Sequence, residues 1–430
     1  MWQSRASHFL KLATLWVLGI FPAGLAAIYA GWVRSPMHHR LTEASLSNVW
    51  GRPVRIHSAA YPSPGKLRLK EVVVLSPGDS APILSAETVL WSTKCQQEQT
   101  RHHFVLENCT LDLGQNSAAI AFIKELFLSR QDRGAPCPPK IISAELKNVR
   151  IAVSGGESLF PAGKLDWQDA GNILVGVLSL GRQHQSGDTP LEIRVVREWS
   201  GQTVLAYGVH TGSGGLPADL LSSFFAGFEP FGRKTSFEGY IWVVLDSEAP
   251  QTELAGTFHI PEVGEIMGGL WGPIVRGRAQ LLLRKCKLRG NRWQEGEGTF
   301  RLESGEITHL YVRHLWQSLG LHGGTATEAI PEVIPLEELA FHFAYDFSGV
   351  QVAGACAEGQ SGTLLRSSQI VLATPPVGLR LSWAQLLASL LPPGQVFLPG
   401  VPEVAPLIAR LPPDPGKANV ATGRKPQMQR

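Results

Sequence analysis

Paired histidines are the residues of this chain whose types and spacing most resemble a site of chemistry. His38 and His39 are adjacent, and so are His102 and His103. Imidazole binds zinc and transfers protons near neutral pH. Adjacent residues of a strand, however, point to opposite faces of a sheet. The sequence therefore predicts that neither pair chelates a metal and that these are polar surface residues.

Other chemical signals are isolated. His309 and His314 lie five residues apart in a predicted helix, which is poor ligand geometry compared with an i, i+4 pair. The glycine clusters at 212–215 and 268–269 read as turns, and sequence assigns no partner to carboxylates such as Asp346 or Glu358. The chain contains no HExxH, GxSxG or P-loop motif. We predict a protein that is not an enzyme and has no metal site and no cofactor.

The five cysteines are scattered and odd in number. Cys95 and Cys109 flank the segment QQEQTRHH, which is a predicted hairpin. A disulfide between them is one interpretation if the compartment is oxidising. Unpaired buried thiols are the other.

A long apolar segment near the N-terminus predicts a membrane span. Residues 12–33 are uncharged, and as a helix of about 33 Å they match the hydrocarbon core of a bilayer. Arg5 and Lys11 precede this segment and no acid does, which favours an uncleaved signal anchor with residues 1–11 in the cytoplasm. A cleaved signal peptide, ending near Gly24–Ala26, is the alternative. Either way the bulk of the chain is expected to be exported.

The remaining charge excludes one class of partner. Beyond residue 11 the chain carries 37 basic and 36 acidic side chains without a basic patch, whereas a nucleic-acid-binding protein concentrates its basic residues. We therefore predict no nucleic-acid partner.

Alternating apolar residues between Gly, Pro, Asn and Asp turns predict a chain of many strands. Helical periodicity appears at 117–130, 307–321 and 383–391. The predicted strands are 67–75, 83–91, 103–113, 142–153, 191–199, 203–210, 236–246, 252–260, 276–288, 297–303, 339–347, 350–357 and 368–373.

One short pattern recurs at 69–75, 106–113 and 146–153. In each copy the apolar alternation slips by one residue across a Glu or Asn position, as Leu67 and Leu69 give way to Val72 and Val74. Such a slip is typical of a β-bulge, in which an extra residue bends the strand while one apolar face stays inward. The recurrence, at offsets of 37 and 40 residues, indicates a repeated supersecondary unit.

A patterned stretch at residues 41–91 begins shortly after the apolar segment. Its characteristic positions are Gly51, Val54, Ile56, Pro64, Gly65, Leu67, Leu69, Val72, Val74, Pro82, Ile83, Leu84, Ala86 and Val89. With these residues the stretch resembles the opening of the AsmA-like family of bacterial envelope proteins (AsmA/TamB type). Residues 254–307 and 339–372 are similar to the family's later strands.

The resemblance implies a fold that is mainly β with a few short helices, an elongated curved antiparallel sheet behind an N-terminal transmembrane helix. It implies an N-terminal AsmA-like β region at 41–160, a β-rich middle segment at 161–235 and a C-terminal AsmA-like β region at 236–411. Residues 412–430 form a polar tail that composition predicts to be disordered.

An apolar concave face would hold lipid in such a sheet. The alternative interpretation is that the same side chains fill a closed core. The predicted lining residues are Leu67, Leu69, Val72, Val74, Trp91, Phe104, Leu106, Leu111, Leu113, Leu146, Val149, Ile151, Val153, Trp242 and Phe258.

The function that follows from the resemblance is that of a non-enzymatic protein of the bacterial inner membrane, single-pass and largely periplasmic. It would bind or help move phospholipid or another lipid, or support outer-membrane biogenesis. A membrane-tethered interaction scaffold with an envelope protein partner is the second hypothesis, and an exported hydrolase on a β-scaffold is the third.

Overall fold

The structure is a computed structural model that describes residue 21 and residues 29–390 with gaps. The gaps are residues 64, 77–81, 97–98, 113–139, 154–155, 170–172, 182–188, 201, 219–220, 222–227, 229–230, 232–233, 246–248, 266–274, 291, 322–331, 358–361, 368–370, 374 and 376–377. The chain divides into two units, Met1–Gly171 and Asn172–Arg430. Strands dominate both, and the described helices are short, which confirms the predicted mainly β fold class.

In addition to the helical residues 29–33, the described part of unit 1 contains one helix and seven strands. They are α1 (Pro36–Trp50), β1 (Val54–Arg55), β2 (Ser58–Ser63), β3 (Lys66–Leu75), β4 (Pro82–Gln96), β5 (Gln99–Asp112), β6 (Lys140–Val153) and β7 (Gly156–Asp169).

The strands of unit 1 pair mostly with their neighbours in sequence. β1 and β2 both pair with β3, and β3–β4, β4–β5 and β6–β7 are antiparallel. β5 and β6 pair in parallel, with Glu107 opposite Lys147. The prediction of a purely antiparallel sheet is therefore wrong at this pair. The 27 residues between Asp112 and Lys140 are long enough for the crossover that a parallel pair needs.

Unit 2 contains thirteen described strands and two α-helices. They are β8 (Ile173–Gly181), β9 (Leu191–Ser200), β10 (Gln202–His210), β11 (Leu216–Pro217), β12 (Ser236–Leu245), β13 (Gln251–Ile260), β14 (Val275–Arg289), β15 (Arg292–Thr308), α2 (His309–Leu319), β16 (Val333–Asp346), β17 (Gly349–Gly354), β18 (Leu365–Arg366), β19 (Val371–Ala373), β20 (Arg380–Leu381) and α3 (Trp383–Leu390).

Successive strands of unit 2 form a long antiparallel array. It runs β8–β9–β10–β12–β13–β14–β15–β16–β17–β20, with β11 beside β12, and β18 beside β16 and β19. Register shifts in β13–β14 and β14–β15 mark local bulges. Side chains two residues apart on one strand share a face, so this register fixes which residues lie together.

Several predicted segments fall outside the described part of the chain. Residues 117–130 do so entirely, as do the tail and most of the predicted span at 12–33. Of the helices that are described, none combines the length and the apolar character needed to cross a bilayer. The predicted helices at 307–321 and 383–391 are confirmed as α2 and α3.

Three strands of unit 1 kink at the residues where the alternation slips. Glu71, Asn108 and Asn148 have φ angles of 51°, 54° and 53°, in the left-handed region that few side chains other than Asn and Asp tolerate. Asn108 Nδ2 donates to Glu87 Oε2 at 2.5 Å, and Asn148 Nδ2 donates to Asn108 Oδ1 at 3.1 Å. We call this transverse row of Glu71, Glu87, Asn108 and Asn148 the crease.

The crease confirms the predicted positions of the slip but not the predicted mechanism. A β-bulge would place two residues opposite one. Here the pairing keeps one register on both sides, with Lys70 opposite Thr88 and Val72 opposite Ala86. Because the neighbouring strands slip at the same row, none of them needs an extra residue there.

A substitution at the crease separates backbone strain from hydrogen bonding. Asn148→Val is expected to destabilise unit 1 by about 2 kcal/mol, because a β-branched side chain at φ 53° adds strain to the loss of the bond to Asn108. Asn148→Gly loses the same bond without the strain and should cost less than about 1 kcal/mol. Denaturant unfolding of the two variants checks this. Equal costs would assign the effect to the hydrogen bond alone.

Candidate functional site

Unit 1 places most of the predicted lining residues in its interior. Trp91, Leu111 and Leu146 are half-buried. Leu113 and the side chain of Val153 lie outside what the structure describes. The remaining eight, which are 0–7% exposed, are Leu67, Leu69, Val72, Val74, Phe104, Leu106, Val149 and Ile151. These eight side chains belong to the buried core of unit 1.

Helix α1 forms part of the cover over this core. Leu46 is 1% exposed, and the Trp50 ring packs edge-on against Phe104 with centroids 5.5 Å apart. Two helix side chains accept hydrogen bonds from the chain that follows: Ser47 Oγ from Val54 N at 3.0 Å, and Glu43 Oε1 from Ile56 N. These hydrogen bonds therefore hold α1 next to β1, while the apolar side of the helix packs on the core.

In unit 2 the two predicted lining residues lie on opposite faces of the sheet. Phe258 is 1% exposed, and Phe237, its cross-strand partner, is fully buried. Trp242 lies between the buried residues Ile241 and Val243 on β12, so its side chain points to the other face. The prediction that Trp242 shares an inward face with Phe258 is wrong, because every position of the run YIWVVL is apolar or aromatic and its alternation is ambiguous.

Six half-buried aromatic side chains form a group in unit 2. We call it the aromatic face, and its members are Trp293, Phe300, Phe341, Phe343, Tyr345 and Trp383. Ring contacts connect the group from end to end, with centroid distances between 5.3 and 6.4 Å. The strand register explains the grouping, since Phe300 pairs with Phe341 and every second residue of β16 points the same way.

Two glycines allow the rings to lie flat on the sheet. Gly296 is opposite Tyr345 and Gly298 is opposite Phe343. A Cβ at Gly296 would lie 2.5 Å from Tyr345 Cζ, and one at Gly298 would lie 2.7 Å from Phe343 Cζ. The bare backbone of β15 therefore leaves room for these two rings to pack directly against the strand.

The reverse face of the same strands is charged. Lys285 and Lys287 contact Glu295 at 2.8 and 3.2 Å, and these lysines hold the pKa of the Glu295 carboxyl below its usual value. Thr299 Oγ1 and His342 Nδ1 lie 2.7 Å apart. The sheet is thus solvated on one face and apolar on the other, a common arrangement for antiparallel sheets.

A thiol and a phenol meet within the aromatic face. Cys286 Sγ and Tyr345 Oη lie 3.0 Å apart. Burial raises the pKa of the Cys286 thiol, and burial together with this thiol raises the pKa of Tyr345 far above its usual value. Both groups are neutral near pH 7, so the pair provides a weak hydrogen bond and no nucleophile.

The paired histidines have structural contacts, and the prediction that they are surface residues is wrong for His38 and His102, which are 2% and 8% exposed. In the first histidine pair His38 Nε2 lies 3.0 Å from Tyr61 Oη. In the second, His102 Nδ1 accepts from Trp91 Nε1 while His103 Nδ1 contacts Ser143. Within the described residues no group of His, Cys, Asp or Glu has the geometry to hold a metal ion.

Asp346 stabilises the turn between β16 and β17 and binds Arg380 of β20. Its Oδ1 accepts from Ser348 N at 2.7 Å, and Arg380 Nη2 donates to it at 3.0 Å. The bonds from Ser348 and the charge of Arg380 hold the pKa of this carboxyl below its usual value. Glu358 lies outside the described residues.

The strand register excludes the Cys95–Cys109 disulfide. The predicted hairpin is confirmed, with Cys95 opposite Thr100 and Cys109 opposite Ala86. Cys109 lies nine positions after Thr100 on β5, a distance of about 30 Å along a strand, whereas bridged Cα atoms lie within about 7 Å. Cys109 is a free buried thiol, and burial raises its pKa to about 12.

Sequence reasoning missed a buried carboxylate on β16. Glu338 has a side chain only 8% exposed and pairs with Arg301 Nε at 3.2 Å. Its Oε2 accepts from Ala357 N at 2.9 Å. These contacts connect β15, β16 and the segment after β17. The Glu338 carboxylate therefore has a structural role.

The aromatic face was also missed as a site, although its signal is present in the sequence. The alternation Leu339, Phe341, Phe343, Tyr345 predicts a strand but does not show that its aromatic face is a site.

Comparison with protein-family models and with curated proteins finds no match for this chain.

Proposed function

We propose that the protein is a non-enzymatic, membrane-anchored envelope protein that binds lipid on the aromatic face of unit 2. The proposal places the chain in the bacterial inner membrane with its bulk in the periplasm, where it binds or helps move phospholipid or supports outer-membrane biogenesis. The observation that carries the lipid-binding part is the half-buried aromatic face opposite a charged face. The resemblance to AsmA-like proteins and the apolar segment at 12–33 support the rest.

The energetics favour a lipid over a polar ligand. Exposing a ~16-carbon acyl chain to water costs on the order of 12 kcal/mol, at about 0.8 kcal/mol per CH₂. Six neighbouring rings offset part of that cost without any directional bond. The neutral Cys286–Tyr345 pair adds no charge that an acyl chain would have to desolvate.

Site-specific photocrosslinking tests the proposal directly. Phe343 is replaced by benzoylphenylalanine in the full-length chain, which is expressed in bacterial membranes and irradiated. A lipid adduct is expected, identified by mass spectrometry, because Phe343 lies in the middle of the ring series.

The adjacent residue provides the matched control. His342 is exposed on the charged face of the same strand, so the same photoreactive group there should give little or no lipid adduct. Equal lipid adducts at both positions would indicate nonspecific labelling. A protein adduct at Phe343 without lipid would favour the interaction scaffold instead.

A further inference from the structure

A second cluster of aromatic side chains lies where the apolar segment ends, far along the chain from the aromatic face. Tyr29 contacts Trp32 and Tyr61 with ring centroids 6.3 Å apart in each case. His38 connects the group, with its ring 4.6 Å from Trp32 and 5.6 Å from Tyr61. We call Tyr29, Trp32, Met37, His38 and Tyr61 the collar.

The collar joins the end of the apolar segment to the sheet of unit 1. Residues 29–33 are helical and α1 begins at Pro36, with Ser35 Oγ accepting from His38 N at 3.2 Å as the cap. Tyr61 belongs to β2, and its hydroxyl lies 3.0 Å from His38 Nε2. The hairpin between β2 and β3 is therefore tied to the residues that leave the apolar segment.

Four members of the collar face outward, whereas His38 is buried beneath them. Tyr29, Trp32, Met37 and Tyr61 are 53%, 46%, 67% and 40% exposed, and the nearby Leu41 is 50% exposed. A soluble surface rarely groups large apolar side chains in this way. Tyr and Trp rings that are apolar on one side and polar at the tip are typical of the membrane–water interface.

The charge around the collar indicates which surface it meets. Arg34 and Arg40 are exposed beside it, and Lys66 and Arg68 are exposed on the β2–β3 hairpin. No acidic residue occurs in 29–42 or in 58–70. Basic residues at this position attract anionic headgroups, and the apolar segment reaches the collar directly, so a bilayer is favoured over a protein partner.

We propose that the collar is a docking surface for an anionic bilayer, and that it seats the β2–β3 hairpin of unit 1 at the headgroup level. The inference rests on the membrane anchoring in the proposed function and adds a defined orientation to it. An anchor alone would let unit 1 swing freely, whereas Tyr61 bound at the interface fixes one end of its sheet against the membrane.

The test uses the full-length chain in nanodiscs of phosphatidylcholine and phosphatidylglycerol. Tyr61→benzoylphenylalanine is expected to give a lipid adduct whose yield falls several-fold in discs of phosphatidylcholine alone. Leu159, which is 62% exposed on β7 and four strands from β3 in the same unit, is the control, and Leu159→benzoylphenylalanine should give no adduct. In the Tyr61 crosslinking variant, adding His38→Ala removes the ring that orients position 61 and should also lower its yield.

Failure of the docking surface is distinguishable from failure of the proposed function. An adduct at Trp32→benzoylphenylalanine without one at Tyr61 would overturn docking while leaving the anchor intact. A lipid adduct at Phe343 would then still support lipid binding by unit 2. Adducts at neither Trp32 nor Tyr61 would overturn the docking surface together with the membrane anchor.

Discussion

Phe258→Ala is expected to lower the free energy of unfolding of the β12–β14 region by about 3–5 kcal/mol, the usual cost of truncating a buried phenylalanine. Phe258 is 1% exposed and stacks on Phe231 with centroids 4.3 Å apart. Phe237 and Phe228 complete the cluster at 4.7 and 5.5 Å. Removing the central ring leaves a cavity lined by three other rings, and their fixed backbone positions limit collapse.

His259, the residue next to Phe258, provides the control substitution. His259 lies on the opposite face of β13, is 45% exposed at its side chain and lies 3.9 Å from Glu238. His259→Ala should change stability by less than about 0.5 kcal/mol, because a contact between two exposed polar side chains contributes little. Hydrogen exchange of the β12–β14 amides in the full-length chain measures both variants. Similar losses of protection would show that the effect is not specific to the cluster.

Local patterns in the sequence predict much of the fold for a physical reason. β3 is predicted at 67–75 and observed at Lys66–Leu75, because alternation reports directly on which side chains face the core. The slip at Glu71, Asn108 and Asn148 is visible for the same reason, since the apolar face must stay inward through the kink. β7 was missed because Pro161 and Gly163 interrupt its pattern.

The features of the fold that depend on contacts between distant segments could not be predicted from local patterns. The parallel pairing of β5 with β6 leaves no trace in alternation, which has a period of two in either direction. The predicted Cys95–Cys109 disulfide is wrong because the turn of a hairpin sets the register of its strands. Cys95 lies next to this turn and Cys109 lies far from it along β5, so the two residues are not opposite each other.

The candidate site was harder to predict than the strands that form it. Phe341, Phe343 and Tyr345 read as one face of a strand, but alternation does not say whether that face is fully covered. The answer depends on packing from elsewhere, including Trp383 of α3, whose ring lies 5.8 Å from Tyr345. In unit 1 the analogous face is covered instead, in part by α1.

Arg197→Met is expected to cost about 3–5 kcal/mol in the β8–β10 region, although it replaces a charged side chain by an apolar one of similar length. Arg197 is only 2% exposed. It lies on the apolar side of the sheet, opposite Leu174 on β8 and Leu205 on β10. A guanidinium that stays charged in such a place must be paired, and Arg197 does have an interaction partner.

The expected cost follows if the partner of Arg197 is a buried charge. Removing one member of a buried pair leaves the other desolvated and unpaired. Arg194→Met is the control, since Arg194 lies on the same strand with a side chain 54% exposed and 3.2 Å from Glu192, and it should change stability by less than about 0.5 kcal/mol. Hydrogen exchange of the β9 and β10 amides reads out both. If Arg197→Met were neutral or stabilising, the partner would not be a buried charge, and the apolar side of unit 2 would tolerate full conversion to hydrocarbon at this position.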